Sequence, residues 1–156
     1  MTSERARYRE RCERIAAAVR AGGSGRPLGL AKRSSNLFRE RREGAKQRLD
    51  LGEFTHVLEL DAGQAWVDVE GLVSFAALVA ATLAHGVMPR VVPQLKTITA
   101  GGAVAGVGIE ATSFRHGLVH DTLLEADVLL ASGEIVTCTP DNAHRELFLG
   151  LPNSYG

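Results

Sequence analysis

The stretch Pro93-Gln-Leu-Lys-Thr-Ile-Thr-Ala-Gly-Gly-Ala-Val-Ala-Gly-Val-Gly-Ile-Glu110 constrains this chain more than any other. Gly101, Gly102, Gly106 and Gly108 sit there among residues with almost no side-chain bulk. A backbone this bare can approach another group more closely than an ordinary segment can. The local pattern permits two readings. Successive N–H groups can form a nest that cradles a phosphate, with Thr97 or Thr99 adding a hydroxyl. Alternatively, the small residues serve a close-packed crossing of a helix and a strand. The spacing is neither the dinucleotide fingerprint G-x-G-x-x-G nor a P-loop. Composition favours a ligand: 17 glycines and only 5% aromatics suit a backbone that comes close to one.

Around this stretch the sequence alternates helix and strand signals. Residues 4–20 predict a helix, because Tyr8, Cys12, Ile15 and Val19 recur as one narrow apolar stripe. Arg5, Arg7, Arg9, Arg11 and Arg14 fall mostly on the other faces. Ala21-Gly-Gly-Ser-Gly25 stops that helix and makes a joint. Residues 28–31 predict a strand. The loop Lys32-Arg-Ser-Ser-Asn-Leu-Phe38 comes after it, either a second phosphate loop or an ordinary Ser/Asn turn. Residues 39–48 are polar and expected to be exposed. Residues 56–60 and 65–69 predict a hairpin around Asp61-Ala-Gly63. Residues 74–84 predict a helix with Ser74 as N-cap and Gly86 past its last turn. A strand is expected over residues 89–92. Residues 123–131 and 134–138 flank Ser132-Gly133 as a second hairpin, and residues 143–149 predict a short helix.

Composition and spacing exclude several classes. A chain of 156 residues holds one domain or two small subdomains. Hydrophobics at 45% and charged residues at 23% exclude a disordered chain or a disulfide scaffold. No apolar run reaches the roughly 18–20 residues a membrane span needs; residues 73–84 and 100–109 are too short. The first residues show no secretory segment. Cys12 and Cys138 lack metal-ligand spacing and read as reduced thiols of a cytoplasmic protein. No Gly-x-Ser-x-Gly elbow supports a serine nucleophile. His116 and His120 are four apart, but Gly117 weakens the helix such a metal pair needs. Glu110 and Asp127 are either acid–base residues or ordinary hydrogen-bonding partners. The balanced charge of 18 against 18 hides an asymmetry. Residues 1–48 hold 14 Lys/Arg and 5 Asp/Glu, and residues 49–156 hold 4 and 13. The basic third suits a nucleic acid, an anionic membrane or a phosphate-bearing cofactor. No nucleic-acid motif accompanies it, so nucleic acid is not expected as a partner.

Taken together, these residues resemble the flavin domain of the vanillyl-alcohol-oxidase-like (PCMH-type) FAD-binding oxidoreductases, over about residues 28–156 and most strongly over 91–150. Thr97-Ile-Thr-Ala-Gly-Gly-Ala-Val-Ala-Gly106 resembles the family's second flavin loop. Ser113-Phe-Arg-His-Gly117 is similar to its next signature. The hairpin from Leu124 to Pro140 resembles the family's next hairpin, and Glu146-Leu-Phe148 its short helix. Within the family the sequence is most like the Δ24-sterol reductase group. Ala100-Gly-Gly-Ala-Val-Ala-Gly-Val-Gly-Ile-Glu-Ala-Thr-Ser113 carries that group's Gly-Gly…Gly-x-Gly-Ile-Glu-Ser pattern, and Leu151-Pro-Asn-Ser-Tyr-Gly156 resembles its continuation. Cytokinin dehydrogenases share Phe-Arg-His-Gly and the hairpin. They usually carry a substrate-base Asp at about the position of Gln94, which argues against amine oxidation here.

The resemblance implies an α+β fold, a PCMH-type FAD-binding domain of two α/β subdomains truncated at its C-terminus. A basic helix over residues 1–23 would precede subdomains at 24–86 and 87–156. It implies that Thr99, Gly101, Gly102, Ala105, Gly106 and Ile109 line the FAD pyrophosphate and ribityl region, with Gln94 near the flavin. Glu110 would be structural or cofactor-side. Ser34, Ser35 and Asn36 would occupy the first phosphate loop. That loop has no His, the usual point of covalent attachment in relatives, so non-covalent FAD is expected. The function implied is reduction of a C=C bond in a sterol or fatty acyl lipid with a nicotinamide donor. The alternatives are a truncated FAD-binding module without activity, or a flavin oxidase of a sugar or other alcohol. A lipid substrate makes peripheral membrane contact reasonable. Catalytic residues would lie beyond the C-terminus.

Overall fold

A computed structural model describes residues 3–22, 28–31 and 47–154. The expected loop with Ser34, Ser35 and Asn36, and the joint after Gly22, lie outside the described residues. By its contacts the chain divides into two units, Met1–Glu53 with Leu129–Ile135, and Phe54–Val128 with Val136–Gly156.

The first unit opens with α1, Glu4–Ala21, whose N-cap Ser3 accepts a hydrogen bond from the Ala6 N–H. Its buried face is Arg11, Ile15, Ala16 and Val19. Tyr8 and Cys12, expected on that stripe, are only half-buried. Of the five arginines expected mostly on the other faces, Arg5, Arg7, Arg9 and Arg14 are exposed and Arg11 is buried. Its guanidinium donates to Glu4 Oε1 at 2.7 Å, and a paired cation can be buried where an unpaired one cannot. Two short strands, β1 (Leu28–Leu30) and β2 (Gln47–Leu49), pair in parallel. β2 overlaps the end of the polar segment 39–48 expected to be exposed: Arg48 is exposed, and Leu49 just beyond it is buried. Gly133 is also in this unit, buried against α1. It has φ +80°, and Arg20 donates to its carbonyl at 2.7 Å.

The second unit begins with the antiparallel hairpin of β3 (Val57–Asp61) and β4 (Trp66–Val69). Asp61 Oδ1 accepts from the Gln64 N–H at 2.9 Å and fixes the turn. α2 spans Phe75–Leu83, with Ser74 as N-cap. Residues 89–92 are not a strand. Pro89 opens this stretch and Pro93 comes directly after it, and neither supplies an N–H for a ladder. Val91 is nevertheless buried in the core. Next come α3 (Ala100–Ala105), α4 (Ser113–His116) and a short 3-10 helix (Val119–Thr122). β5 (Ala126–Leu129) pairs with β6 (Ile135–Cys138), and α5 is Arg145–Gly150. The core joins Val73, Phe75 and Leu78 to Val91, Ala103 and Val119. It thus binds α2 to the glycine-rich segment and to the 3-10 helix. Among the described residues, no helix is long and apolar enough to cross a membrane.

Candidate functional site

The glycine-rich segment is positioned by a reciprocal capping arrangement. Ser74 and Thr99, the N-caps of α2 and α3, face each other in an antiparallel bridge. The segment before each helix completes the first turn of the other. Phe75 N–H donates to Ile98 O at 2.9 Å and Ala76 N–H to Lys96 O at 3.1 Å. In return Ala100 N–H donates to Val73 O and Gly101 N–H to Gly71 O, both at 2.8 Å. Each cap hydroxyl then takes its own helix's third amide: Ala77 to Ser74 Oγ and Gly102 to Thr99 Oγ1, both at 3.2 Å. Three of the N–H groups that each helix start normally leaves unpaired are thereby satisfied.

This arrangement gives the glycines a packing role. The crossing is close-packed: a Cβ on Gly101 would stand 3.0 Å from Gly71 O. The expectation of free amides in an anion nest is corrected, because residues 100–103 donate within the chain. Gly101, Gly102 and Gly106 are nonetheless exposed on their outer side. They offer a bare backbone surface with no side chain to hold a flat or extended ligand away.

The far end of α3 is closed by Gly106, Val107 and Gly108. Gly108 N–H reaches back to Ala103 O at 3.0 Å, and Val107 lies in the left-handed region at φ 56°. Val119 N–H donates to Gly108 O at 3.1 Å, tying the 3-10 helix to this turn. Ile109 then emerges 73% exposed.

A second turn, Glu110–Ser113, holds the segment before the glycines. Glu110 N–H donates to Ser113 Oγ at 2.9 Å. Glu110 Oε2 accepts from the Gln94 N–H at 3.2 Å, and Thr112 Oγ1 donates to Arg90 O at 2.8 Å. Gln94, Leu95, Ile109 and Phe114 are exposed beside these bonds, and so are Arg90, Lys96 and Arg115. Those three cations are three of the four Lys/Arg in residues 49–156. An otherwise acidic part of the chain thus concentrates its positive charge on the two segments around the exposed glycines.

The structure brings together Gln94, Thr99, Gly101, Gly102, Ala105, Gly106, Ile109 and Glu110 within one unit. Sequence reasoning missed Gly71, Arg90, Thr112 and the buried Glu70. Glu70 Oε2 lies 2.8 Å from both the backbone N and Nδ1 of His56, joining the two ends of the first hairpin. Its signal was a carboxylate ending the alternating run Val67-Asp-Val-Glu70. Asp127, one of the acid–base candidates, instead accepts from Thr137 Oγ1 at 2.6 Å across the second hairpin. Cys138 is fully buried and donates to Ala126 O at 3.1 Å; burial pushes its thiol pKa up. No group of His, Cys, Asp or Glu among the described residues is arranged to hold a metal ion.

Residues 10–139 match the protein family described as the FAD binding domain. The chain is 37% identical over 108 residues to the Δ24-sterol reductase of Arabidopsis thaliana, covering 69% of this chain and 19% of that protein. It is 36% identical over 100 residues to the Δ24-sterol reductase of Rattus norvegicus, and equally so to cytokinin dehydrogenase 7 of Oryza sativa subsp. japonica. Each of those two alignments covers 64% of this chain and 19% of the relative. The chain therefore spans about a fifth of the length of these curated relatives. In fold it is similar to 6-hydroxy-D-nicotine oxidase from Arthrobacter nicotinovorans, with a TM-score of 0.75 at 20% identity, over 92% of this chain and 31% of the oxidase. The α+β architecture is that of the PCMH-type flavoproteins.

Proposed function

The chain belongs to the FAD-binding-domain family of flavin-dependent oxidoreductases, and on that premise we propose that it forms the FAD-binding part of an enzyme that reduces a C=C bond in a sterol or fatty acyl lipid, with a nicotinamide donor. The carrying observation is the exposed glycine face of α3, in a stretch of sequence whose flanking segments hold the exposed residues Ile109, Arg90, Lys96 and Arg115. Such a face fits a ligand with an apolar ring system and an anionic diphosphate. The lipid substrate is supported by the identity to Δ24-sterol reductases.

FAD supplies hydride-transfer chemistry when bound. The chain's own residues bind and orient. Gly101, Gly102 and Gly106 permit close backbone approach. Thr99 Oγ1 accepts from Gly102 N–H and keeps its own O–H to donate. The three cations offset the charge of a diphosphate. Ile109 offers apolar contact, and exposed Gln94 offers both a donor and an acceptor. Ser34, Ser35 and Asn36 are proposed as the first phosphate loop, in which the lack of a His supports non-covalent attachment. Residues 24–86 and 87–156 are proposed as the cofactor subdomains. Peripheral membrane contact and a cytoplasmic location belong to the same reading.

The test is an absorbance spectrum of the gel-filtered chain, with and without added FAD. Flavin bands that co-elute with the protein support cofactor binding, and none at saturating FAD overturns it. Anaerobic bleaching of the flavin by a nicotinamide, reversed by a sterol or acyl alkene, supports the reductase. The identity to cytokinin dehydrogenase favours a second reading, an oxidase or dehydrogenase. Its mark is bleaching by an alcohol or amine without nicotinamide. Bound flavin that nothing bleaches marks a binding module.

A further inference from the structure

We infer that Glu110, with Thr112 and Ser113, is a clip that sets the position of Gln94 through the backbone, so that Glu110 is a positioning residue and not a cofactor contact. The inference rests on the proposed cofactor role for what Gln94 faces. The clip itself stands on the geometry alone.

Three bonds make it. Ser113 Oγ accepts from the Glu110 N–H at 2.9 Å, which closes the turn and fixes where the carboxylate begins. Glu110 Oε2 then accepts from the Gln94 N–H at 3.2 Å. Thr112 Oγ1 donates to Arg90 O at 2.8 Å. Two points of one segment, four residues apart, are thus gripped from one four-residue turn. The gripped segment needs such a grip. It has prolines at 89 and 93 and forms no ladder, so the usual source of backbone order is missing. Buried Val91 anchors its middle in the core, but Gln94 beyond it is exposed. A carboxylate that accepts from a backbone N–H makes a charge-assisted bond, stronger than a neutral one. Because Oε2 is engaged with Gln94, the carboxylate faces the chain. Direct contact with an anionic diphosphate would also be repulsive for it.

The test compares the whole chain with Glu110→Ala, Glu110→Gln and Thr112→Val by amide hydrogen exchange and by FAD titration followed through flavin fluorescence. The expected result has two parts. Exchange at the Gln94 amide rises about tenfold in Glu110→Ala, with FAD affinity falling about five- to tenfold. Glu110→Gln, which keeps an acceptor oxygen, recovers most of both. Thr112→Val gives a smaller change of the same sign and leaves the carboxylate in place. An unchanged Gln94 amide in Glu110→Ala overturns the clip. Faster exchange with unchanged FAD affinity overturns the positioning role. Equal losses in Glu110→Ala and Glu110→Gln also overturn it, since they mark a charge contact with ligand or fold. Wild-type chain that takes up no FAD removes the cofactor reading instead, and the exchange data still decide the clip.

Discussion

Val107 is the residue on which the local rules are most openly broken. A β-branched side chain at φ 56° crowds the following carbonyl, a cost of roughly 1–2 kcal/mol that glycine escapes. The neighbouring positions, 106 and 108, are both glycine, yet the left-handed position itself is not. Val107→Gly is therefore expected to stabilise the chain by about 0.5–1 kcal/mol, after the extra freedom of an unfolded glycine is subtracted. A urea midpoint that rises with an unchanged slope would show it; a midpoint that falls would mean Val107 makes packing contacts worth more than the strain. Cys138 gives a prediction with a definite sign in pH. Its burial raises the thiol pKa above the ordinary 9.0. The folded chain then holds a proton that the unfolded chain releases. The stability this provides is complete below the ordinary value and is lost as pH rises past it. Between about pH 8 and about pH 10, wild-type protein is expected to lose more stability than Cys138→Ala, as read from paired urea titrations. Equal losses would remove the thiol as the cause.

Among the elements, the reciprocal caps of α2 and α3 decide whether the glycine face exists. Removing one cap hydroxyl, Ser74→Ala or Thr99→Ala, should cost about 1 kcal/mol. The two sites share one bridge, so the double variant is expected to depart from additivity by about 0.5 kcal/mol or more. Thermal or urea unfolding of all four proteins closes the cycle, and strict additivity would mean the two helix starts are independent. Gly101→Ala adds a Cβ 3.0 Å from Gly71 O and should cost about 1–3 kcal/mol. Gly71→Ala, where a Cβ meets nothing within 4 Å, is the control expected to change little. This pair of helices also marks where the sequence stops being readable. Ser74 announced its cap because an apolar helix comes after it. Thr99 stood equally well placed, but Gly101 and Gly102 mask a helix start, since glycine contributes no propensity. The identity of the partner carbonyls, at 71 and 73, is a long-range fact that no local pattern holds. Both hairpins were readable, because turn residues at 61–63 and 132–133 interrupt short apolar-rich segments. The segment over 89–92 misled for the opposite reason. Its apolar residues signalled burial correctly, but burial of Val91 is achieved without a strand.

For the whole molecule, the family was legible from ordered signatures spread along residues 97–148, while no single motif sufficed. Arg11 shows why global charge was harder to place. A cation counted toward a solvated face lies buried, paired with the half-buried Glu4 two turns before it on α1. In the other charge pattern, residues 49–156 hold 13 Asp/Glu and only four Lys/Arg, three of them at 90, 96 and 115. A ligand that binds only the folded state raises stability by mass action, by about 2.7 kcal/mol at one hundred times its dissociation constant. For a chain of this size that corresponds to a rise of about 5–11 °C in melting temperature. FAD is expected to produce such a rise in proportion to the logarithm of its concentration. Riboflavin, which has the ring but no phosphate, should produce much less, since it forgoes the cations. High salt should shrink the FAD effect and leave the small riboflavin effect nearly unchanged, because exposed charges are screened and apolar contacts are not. Differential scanning fluorimetry at two ionic strengths with both ligands makes the comparison. Equal shifts for FAD and riboflavin would remove Arg90, Lys96 and Arg115 from the site. No shift with either, at saturating concentration, would mean that the glycine face of this chain does not bind a flavin cofactor.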